Sequence, residues 1–508
     1  MIVETVAGKV EGLERDGVLQ FRGIPYAYAD RFRPPEPALP WAGVLDATSF
    51  GPSAPQEPSA TDALFGVEAQ EYGEDCLVVN VVTPAADDTA RPVMVWIHGG
   101  GFTNGSGRSP YYNATRLALD GDVVVVTVNY RLGALGFLYL DHLAGDLTGS
   151  GVNGIRDQIE ALRWVRDNIA GFGGDPGRVT IFGESAGAMS VGTLLAAPEA
   201  AGLFHAAALQ SGAGENVLAP ETAMRVTEQV LAHLELTPAD VEQLLDLPVH
   251  EILTAQSTAM AAALTSRPDP RRPSSGYLQL PFAPVVDGGL LTRPPLDAVR
   301  AGSAAGIPLV VGTTADEWNL FAIQDSLGDI GPERLRRRLV RMLGDDRADV
   351  AVELYRAARP TAHSSKLWCA MLTDRVFRMP AVRLAEAQLA HTPDVSMYRF
   401  DYRSTAFGGV AGACHAIEIP FVFDTVEHQG VQTLLGGIDD GTRRLARRCS
   451  AAWATFARTG RRPAHDDLDW PAYDLSRRAT CVLDREPTVL DDPEGDIRAF
   501  WNSEGALP

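Results

Sequence analysis

The chain has 508 residues, 45% of them hydrophobic, and it carries a formal net charge of −21. This length is enough for a large buried core. The acidic excess excludes nucleic acid and anionic membrane surfaces as expected partners, because both repel such a chain. Five cysteines are scattered without CxxC spacing, so no zinc or redox motif is present, and reduced thiols are expected.

The N-terminal segment MIVETVAGKVEGL predicts a strand and a hairpin. It lacks the basic and apolar regions of a secretory signal. No apolar run in the sequence is long enough to cross a membrane. We therefore expect a cytoplasmic protein without a membrane partner.

Short, continuous apolar runs predict buried strands, which lie at 93–99, 123–130, 179–183, 206–212, 308–314 and 397–402. Between them, 153–172 places apolar residues on one helical stripe, namely Ile155, Ile159, Leu162 and Val165. Strands that alternate with helices indicate a mostly parallel sheet with helices on both faces, which is the α/β class.

Two long stretches, near 215–280 and 325–395, lack strong strand patterns and are rich in Ala, Leu, Arg and Glu. They predict helical insertions over the sheet rather than separate domains. We expect residues 1–508 to form a single catalytic domain.

The first motif is HGGGF at 98–102, directly after a predicted strand. Glycines at a strand end leave backbone N–H groups open, as the oxyanion of an acyl-transfer reaction requires. We assign the N–H groups of Gly100 and Gly101 to this role, with that of Ala186 as a third donor. A plain flexible loop is the alternative. We expect His98 to pin the loop rather than to act as the base.

The second motif is GESAG at 183–187, between a predicted strand and a predicted helix. A strand–serine–helix turn this sharp needs small residues two positions away on either side, and it lifts the serine hydroxyl above the sheet. Ser185 is therefore the candidate nucleophile. The alternative is a tight strand–helix crossing without chemistry.

A serine nucleophile needs an acid and then a histidine later in the chain. His415 stands in a glycine-rich loop before an apolar run, which suits a protruding base, although a structural loop histidine is the alternative. Asp316 and Glu317 follow a buried strand, where a carboxylate can orient the imidazole. The spacing does not choose between these two acids.

Taken together, these segments resemble the type-B carboxylesterase family, which includes para-nitrobenzyl esterases and cholinesterases. The resemblance covers nearly the whole chain, and its most specific parts are FRGIPYAYADRFRPP (21–35), GEDCLVVNVVTP (73–84), WIHGGGF (96–102), NYRLGALGFL (129–138), GFGGDPGRVTIFGESAGA (171–188), TADEWNLF (314–321) and GACHAIEIPFVF (412–423).

The resemblance implies an α/β-hydrolase fold with helical cap insertions and a serine carboxylic-ester hydrolase that needs no metal or cofactor. It places the acid on Glu317 and the base on His415. It also suggests Ser211 as a partner of Glu317, and Glu184, which precedes the nucleophile, is included as a supporting residue. The expected partner is a neutral small-to-medium ester, and the chain is expected to be a monomer or homodimer.

Several positions depart from the family pattern. Secreted members carry a disulfide whose later cysteine matches Cys76, but the partner position is Ala54 here, so the resemblance implies no bridge. Residues 54–76 contain no tryptophan, which removes the expected cation–π site for choline. Trp318 and Ala416 replace glycines of the pattern, and Trp318 is expected to line or narrow the pocket.

Two other functions are compatible with the fold. The same machinery hydrolyses amides, carbamates or lactones, and pocket shape decides among these substrates. A non-catalytic, neuroligin-like binding protein is the other alternative. The intact triad and glycine loop argue against it.

Overall fold

The computed structural model describes residues 1–59, 71–265, 278, 280–324, 328–464, 468 and 470–503. The end of the first predicted insertion and the start of the second, 266–277 and 325–327, lie outside the described residues.

Most of the described strands join one large sheet. In chain order the strands are β1 (Ile2–Glu4), β2 (Lys9–Glu11), β3 (Leu13–Arg15), β4 (Val18–Pro25), β5 (Ala27–Tyr28), β6 (Glu36–Pro37), β7 (Val44–Asp46), β8 (Val78–Thr83), β9 (Arg91–Ile97), β10 (Val124–Val128), β11 (Gly174–Glu184), β12 (Ala206–Gln210), β13 (Leu309–Thr314), β14 (Val395–Phe400), β15 (Ala479–Leu483) and β16 (Thr488–Asp491). Within the described residues, eleven strands form the sheet in the order β16-β15-β14-β13-β12-β11-β9-β10-β8-β4-β3.

The centre of the sheet, from β10 through β9 and β11 to β15, is parallel, whereas β16, β8, β4 and β3 pair antiparallel at the edges. The predicted mostly parallel sheet is confirmed. The N-terminal hairpin β1–β2 pairs with β7 in a separate small sheet. The carboxyl ends of the parallel strands meet at one edge, and this edge holds the site.

Helices cover both faces of the sheet. In chain order they are α1 (Thr115–Gly121), α2 (Gly133–Phe137), α3 (Asn153–Asn168), α4 (Ala186–Leu194), α5 (Pro220–His233), α6 (Val249–Thr265), α7 (Pro295–Arg300), α8 (Trp318–Gln324), α9 (Pro332–Leu343), α10 (Asp345–Ala358), α11 (Ser364–Thr373), α12 (Met379–Gln388), α13 (Ile419–Val422), α14 (Gln429–Leu435), α15 (Asp440–Thr459) and α16 (Gly495–Asn502). A π-helical turn, Asp374–Arg378, joins α11 to α12.

Strand β9 shows why the sequence segments that predicted buried strands are apolar at every position. Val95 and Ile97 pack into the core on the face that carries α3 and α4, whereas Met94 and Trp96 pack into the core beneath α1 and α15. Successive side chains of a strand point to opposite faces, so a strand covered on both faces has no polar side. The predicted stripe of α3 lies entirely in the first core, and the helix ends at Asn168, before a 3₁₀ turn.

Helices α5 and α6 lie in the first stretch predicted as an insertion, and α9 to α12 lie in the second. No helix in the described part of the chain is long and apolar enough to cross a membrane.

Candidate active site

Ser185 occupies a strained turn between β11 and α4. Its backbone has φ 55° and ψ −124°, which a side-chain-bearing residue adopts only when its surroundings enforce it. A Cβ on Gly187 would lie 2.0 Å from the carbonyl oxygen of Ile97, and a Cβ on Gly183 would lie 2.6 Å from the same oxygen. The Ser185 N–H donates to the carbonyl oxygen of Gln210 at 2.9 Å. Both glycines are therefore needed for the turn that raises this serine above the sheet.

The glycine loop after β9 presents open backbone donors. Gly100 has φ 111°, and a Cβ there would lie 2.1 Å from the carbonyl oxygen of Asn104. The N–H groups of Thr103 and Asn104 donate to the Gly100 carbonyl oxygen, which closes the loop. Among the described residues, the N–H groups of Gly100, Gly101 and Ala186 have no hydrogen-bond acceptor. All three residues border one cavity, so their donors are available to a developing oxyanion.

His98 supports this loop from inside the protein. Its Nδ1 donates to the carbonyl oxygen of Gly99 at 2.8 Å, and its ring stacks on Tyr130 at 4.6 Å. The Tyr130 hydroxyl donates to the His98 carbonyl oxygen at 2.8 Å. Burial lowers the pKa of His98 to about 4, so the ring is neutral at physiological pH. The ring therefore braces the loop.

Glu317 and His415 are in direct contact. Glu317 Oε2 lies 2.6 Å from Nδ1 of His415. Glu317 Oε1 accepts the N–H of Thr314 at 2.7 Å, and the Glu317 side chain is fully buried. A carboxylate fixed on Nδ1 keeps Nε2 free to take up a proton. The structure thus brings the predicted acid and base together.

Asp316, the other acid that the spacing allows, has partners other than the imidazole. Its Oδ2 accepts the N–H of Ala413 at 3.0 Å and pairs with Arg403. Asp316 therefore ties together the loops that carry Glu317 and His415, and it does not contact the ring.

Nε2 of His415 lies 3.1 Å from Glu184 Oε1, but the angles do not make a hydrogen bond. Within the described residues, no hydrogen bond joins Nε2 to Ser185 Oγ. Both side chains border the same cavity. Catalytic hydrogen bonds are often long in unliganded sites and tighten when substrate binds. Glu184 is thus a second neighbour that competes with Ser185 for Nε2.

A buried carboxyl that the sequence analysis missed lies behind the site. Glu418 is 1% exposed, and its Oε1 accepts from Gln210 Nε2 at 3.4 Å. Burial, together with Glu184 and Glu317, raises the pKa of Glu418 to about 8. Burial and the neighbouring Glu317 also raise the pKa of Glu184 well above its ordinary value. A pKa of about 8 keeps Glu418 largely protonated at neutral pH. The segment HAIEIPF offered one signal, since an acid between apolar residues is unusual.

Ser211, which the resemblance suggests as a partner of Glu317, makes no hydrogen bond to it among the described residues. Ser211 has φ 54°, and its N–H donates to the carbonyl oxygen of Gly312 at 2.8 Å. Its buried Oγ has no hydrogen-bond partner among the described residues. The oxygens of Glu317 are directed to Thr314 and His415 instead.

The cavity in front of Ser185 has a volume of about 360 Å³. One part of its wall is apolar and consists of Met189, Met260, Leu278, Leu280, Pro281, Trp318, Leu320 and Phe321. Another part is polar or aromatic and consists of Ser59, Thr103, Asn104, Ser109, Tyr111 and Tyr112. The described lining residues include no lysine or arginine that could pair with an anionic group of a substrate. Trp318 lines the cavity, and its ring packs on Phe321 at 4.9 Å.

Comparisons with known proteins agree along the whole chain. The profile of the carboxylesterase family matches residues 1–501. The chain is 40% identical to the para-nitrobenzyl esterase of Bacillus subtilis, covering 98% of this chain and 97% of the relative. It is 34% identical to the phenmedipham hydrolase of Pseudarthrobacter oxydans, and the match covers 96% of this chain and 95% of that relative. A solved carboxylesterase from Geobacillus stearothermophilus superposes with a TM-score of 0.87 at 43% identity, covering 98% of this chain and 99% of that one. These neighbours confirm the expected α/β-hydrolase fold.

Proposed function

The chain belongs to the carboxylesterase family and is a carboxylic-ester hydrolase; we propose that it works through Ser185 as nucleophile, His415 as base and Glu317 as the acid that orients the base. The observation that carries this proposal is the 2.6 Å contact between His415 Nδ1 and Glu317 Oε2, beside a cavity that Ser185 also borders.

Acylation begins when Ser185 Oγ attacks the ester carbonyl carbon and its proton passes to Nε2 of His415. Glu317 stabilises the imidazolium that forms. The carbonyl oxygen becomes an alkoxide, which accepts hydrogen bonds from the N–H groups of Gly100, Gly101 and Ala186. The tetrahedral intermediate then collapses. Its bond to the alcohol oxygen breaks, and Nε2 returns the proton to the leaving alcohol.

Deacylation follows the same path with water. His415 removes a proton from water, whose oxygen attacks the acyl carbon. The oxyanion again forms against the backbone donors. The bond to Ser185 Oγ breaks, the serine recovers its proton, and the carboxylic acid leaves.

We propose that the substrate is a neutral small-to-medium ester. Support comes from the cavity of about 360 Å³, from its apolar wall and from the lack of a lysine or arginine among its described lining residues. A second candidate is hydrolysis of carbamates, amides or lactones by the same residues. The likeness to a protein named phenmedipham hydrolase favours testing it. Turnover of an ester, carbamate, amide and lactone with one shared acyl group would separate these classes.

We propose, in addition, that residues 1–508 act as one catalytic domain, as a monomer or homodimer, in the cytoplasm. The location rests on the five cysteines, which are all buried and form no disulfide among the described residues.

The substitution Ser185→Ala tests the proposal. We expect kcat on a p-nitrophenyl ester to fall by about 10⁵-fold, because no other group replaces the nucleophile. Ser190→Ala is a matched control on α4, since it loses a contact to Gln158 at 3.1 Å but lies outside the cavity lining. It should retain its kcat. Full turnover by Ser185→Ala would refute the assignment.

A further inference from the structure

Two phenylalanine rings pack against the imidazole of His415. The centroid of Phe377 lies 4.8 Å from that of the imidazole, and the centroid of Phe321 lies 5.1 Å away. The two phenyl rings are 6.0 Å apart and nearly parallel, with an interplanar angle of 12°. Each of the three rings therefore contacts the other two. We call Phe321 and Phe377 the aromatic pair.

Phe377 is placed by the π-helical turn between α11 and α12. Its backbone lies in Asp374–Arg378, whose residues are all buried. A π-turn interrupts the regular helical hydrogen bonds and occurs frequently at functional sites. Here it directs Phe377 to the imidazole.

Buried polar contacts hold this turn. Asp374 accepts from Arg378 Nε at 2.5 Å and from the hydroxyl of Tyr355. Arg378 Nη1 donates to the carbonyl oxygen of Pro493 at 3.1 Å. The Thr373 hydroxyl oxygen, just before the turn, accepts the Trp318 N–H at 3.1 Å, which links the turn to the residue after Glu317. The turn and the acid of the site are thus fixed relative to each other.

The imidazole needs such support because several acidic groups surround it. Glu317 is on Nδ1 at 2.6 Å, Glu184 is 3.1 Å from Nε2, and Glu418 lies behind. When Nε2 carries a proton, Glu184 Oε1 is an alternative acceptor to the leaving alcohol. Two rings packed on the imidazole restrict its rotation. Both ring centroids also lie within the roughly 6 Å at which an aromatic face attracts a cation.

The two rings differ in one respect that makes a test possible. Phe321 borders the cavity, so its substitution would also change contacts with substrate. Phe377 is 1% exposed and does not border the cavity. Phe377 therefore does not contact substrate itself, and its substitution acts either through the imidazole or through Phe321, where a change in KM would report the second route.

We propose that Phe377 is a positioning residue, which holds the His415 imidazole on its path between Ser185 and Glu317 and stabilises its charged form. This inference rests on the proposed function, because it presumes that His415 is the base.

The test is Phe377→Leu, which keeps an apolar side chain but removes the aromatic face. We expect kcat per titrated active site to fall about tenfold while KM stays within about twofold. A trifluoromethyl ketone, whose adduct with Ser185 carries a charged imidazole, should bind about tenfold more weakly. The acid limb of kcat/KM should move to lower pH, because the imidazolium loses a stabilising neighbour.

Phe172→Leu is the matched control. Phe172 is fully buried and contacts Phe21 edge-on at 4.9 Å, away from the cavity lining. It should lose stability without any change in kcat or in the acid limb. Active-site titration with an organophosphate counts only folded enzyme, and Phe377→Met replaces Phe377→Leu if the latter does not fold.

An unchanged kcat and acid limb in the Phe377 variants would overturn the inference, as would a loss matched by Phe172→Leu. The proposed function fails separately, if Ser185→Ala remains active. An inactive Ser185→Ala beside a fully active Phe377→Leu would refute the positioning role alone.

Discussion

The two halves of the site are built in different ways. The serine half, formed by the ends of β9 and β11, is fixed by backbone geometry, since Cβ atoms on Gly100 or Gly187 would overlap carbonyl oxygens at 2.1 Å and 2.0 Å. The histidine half is fixed by side chains that come from separate loops and helices, with Glu317, Glu418 and Phe377 around His415. A backbone constraint tolerates almost no change, whereas a set of side-chain contacts can be weakened by steps. Substitutions in each half therefore test whether the two halves differ in this way.

Among the residues that support the nucleophile and the base, the largest effect is expected on the histidine half. Glu317→Gln keeps the shape of the side chain but removes the charge that stabilises the imidazolium and fixes its tautomer. We expect kcat to fall by about 10⁴-fold. The steady-state rate on a p-nitrophenyl ester measures this loss.

Asp316→Asn is the matched control for that prediction. Asp316 precedes Glu317 but faces Ala413 and Arg403 rather than the imidazole. Its rate should stay within about threefold of the wild type. Equal losses in both variants would mean that the acid has been assigned to the wrong residue.

A smaller loss is expected on the serine half. Gly100→Ala forces the loop to shift, because its Cβ would overlap the carbonyl oxygen of Asn104 and because φ is 111°. The donors then leave the oxyanion, and kcat should fall by about 10²- to 10³-fold. Gly145→Ala, which has nothing within 4 Å of its Cβ, should be unaffected. Unchanged kcat in Gly100→Ala would exclude this loop as the oxyanion site.

The smallest effect concerns stability. The pKa of Glu418 is raised from 4.5 to about 8 in the folded protein. Between these values the unfolded chain loses the proton while the folded chain keeps it, so stability falls as pH rises toward 8. Glu418→Gln removes this dependence. The difference between the Tm of Glu418→Gln and the Tm of the wild type should therefore become more positive as pH rises from about 4.5 to about 8.

Glu228→Gln, an exposed substitution on α5, is the control for that series. It should follow the wild-type pH dependence of Tm. If Glu418→Gln also followed the wild-type curve, Glu418 would not hold its proton in the folded state.

The same contrast explains what could be predicted from sequence. Backbone constraints leave short local signatures, so the motifs around Gly100 and Ser185 predicted their turns, and the apolar runs predicted the central strands. Spacing alone could not separate Asp316 from Glu317, because adjacent residues differ only in the direction that the fold gives them. The family resemblance made that choice.

Long-range packing accounts for what was missed. Phe377 reaches the imidazole through a π-turn that has no sequence signature, and Glu418 is distinctive only once it is buried beside other acids. The directions of the Glu317 oxygens, toward Thr314 and His415 rather than toward Ser211, are likewise set by the fold. Except for the contact of Thr314 with Glu317, these contacts join residues distant in sequence, and no local pattern encodes them.

The most direct measurement traps the acyl-enzyme. Wild-type protein is mixed with a p-nitrophenyl ester, quenched with acid during the first turnover and digested for peptide mass spectrometry. We predict a burst of p-nitrophenol equal in amount to the active sites and one acyl group on Ser185, and in Glu317→Gln this acyl group should accumulate far more slowly. An acyl group on another residue, or full turnover without any covalent intermediate, would contradict it.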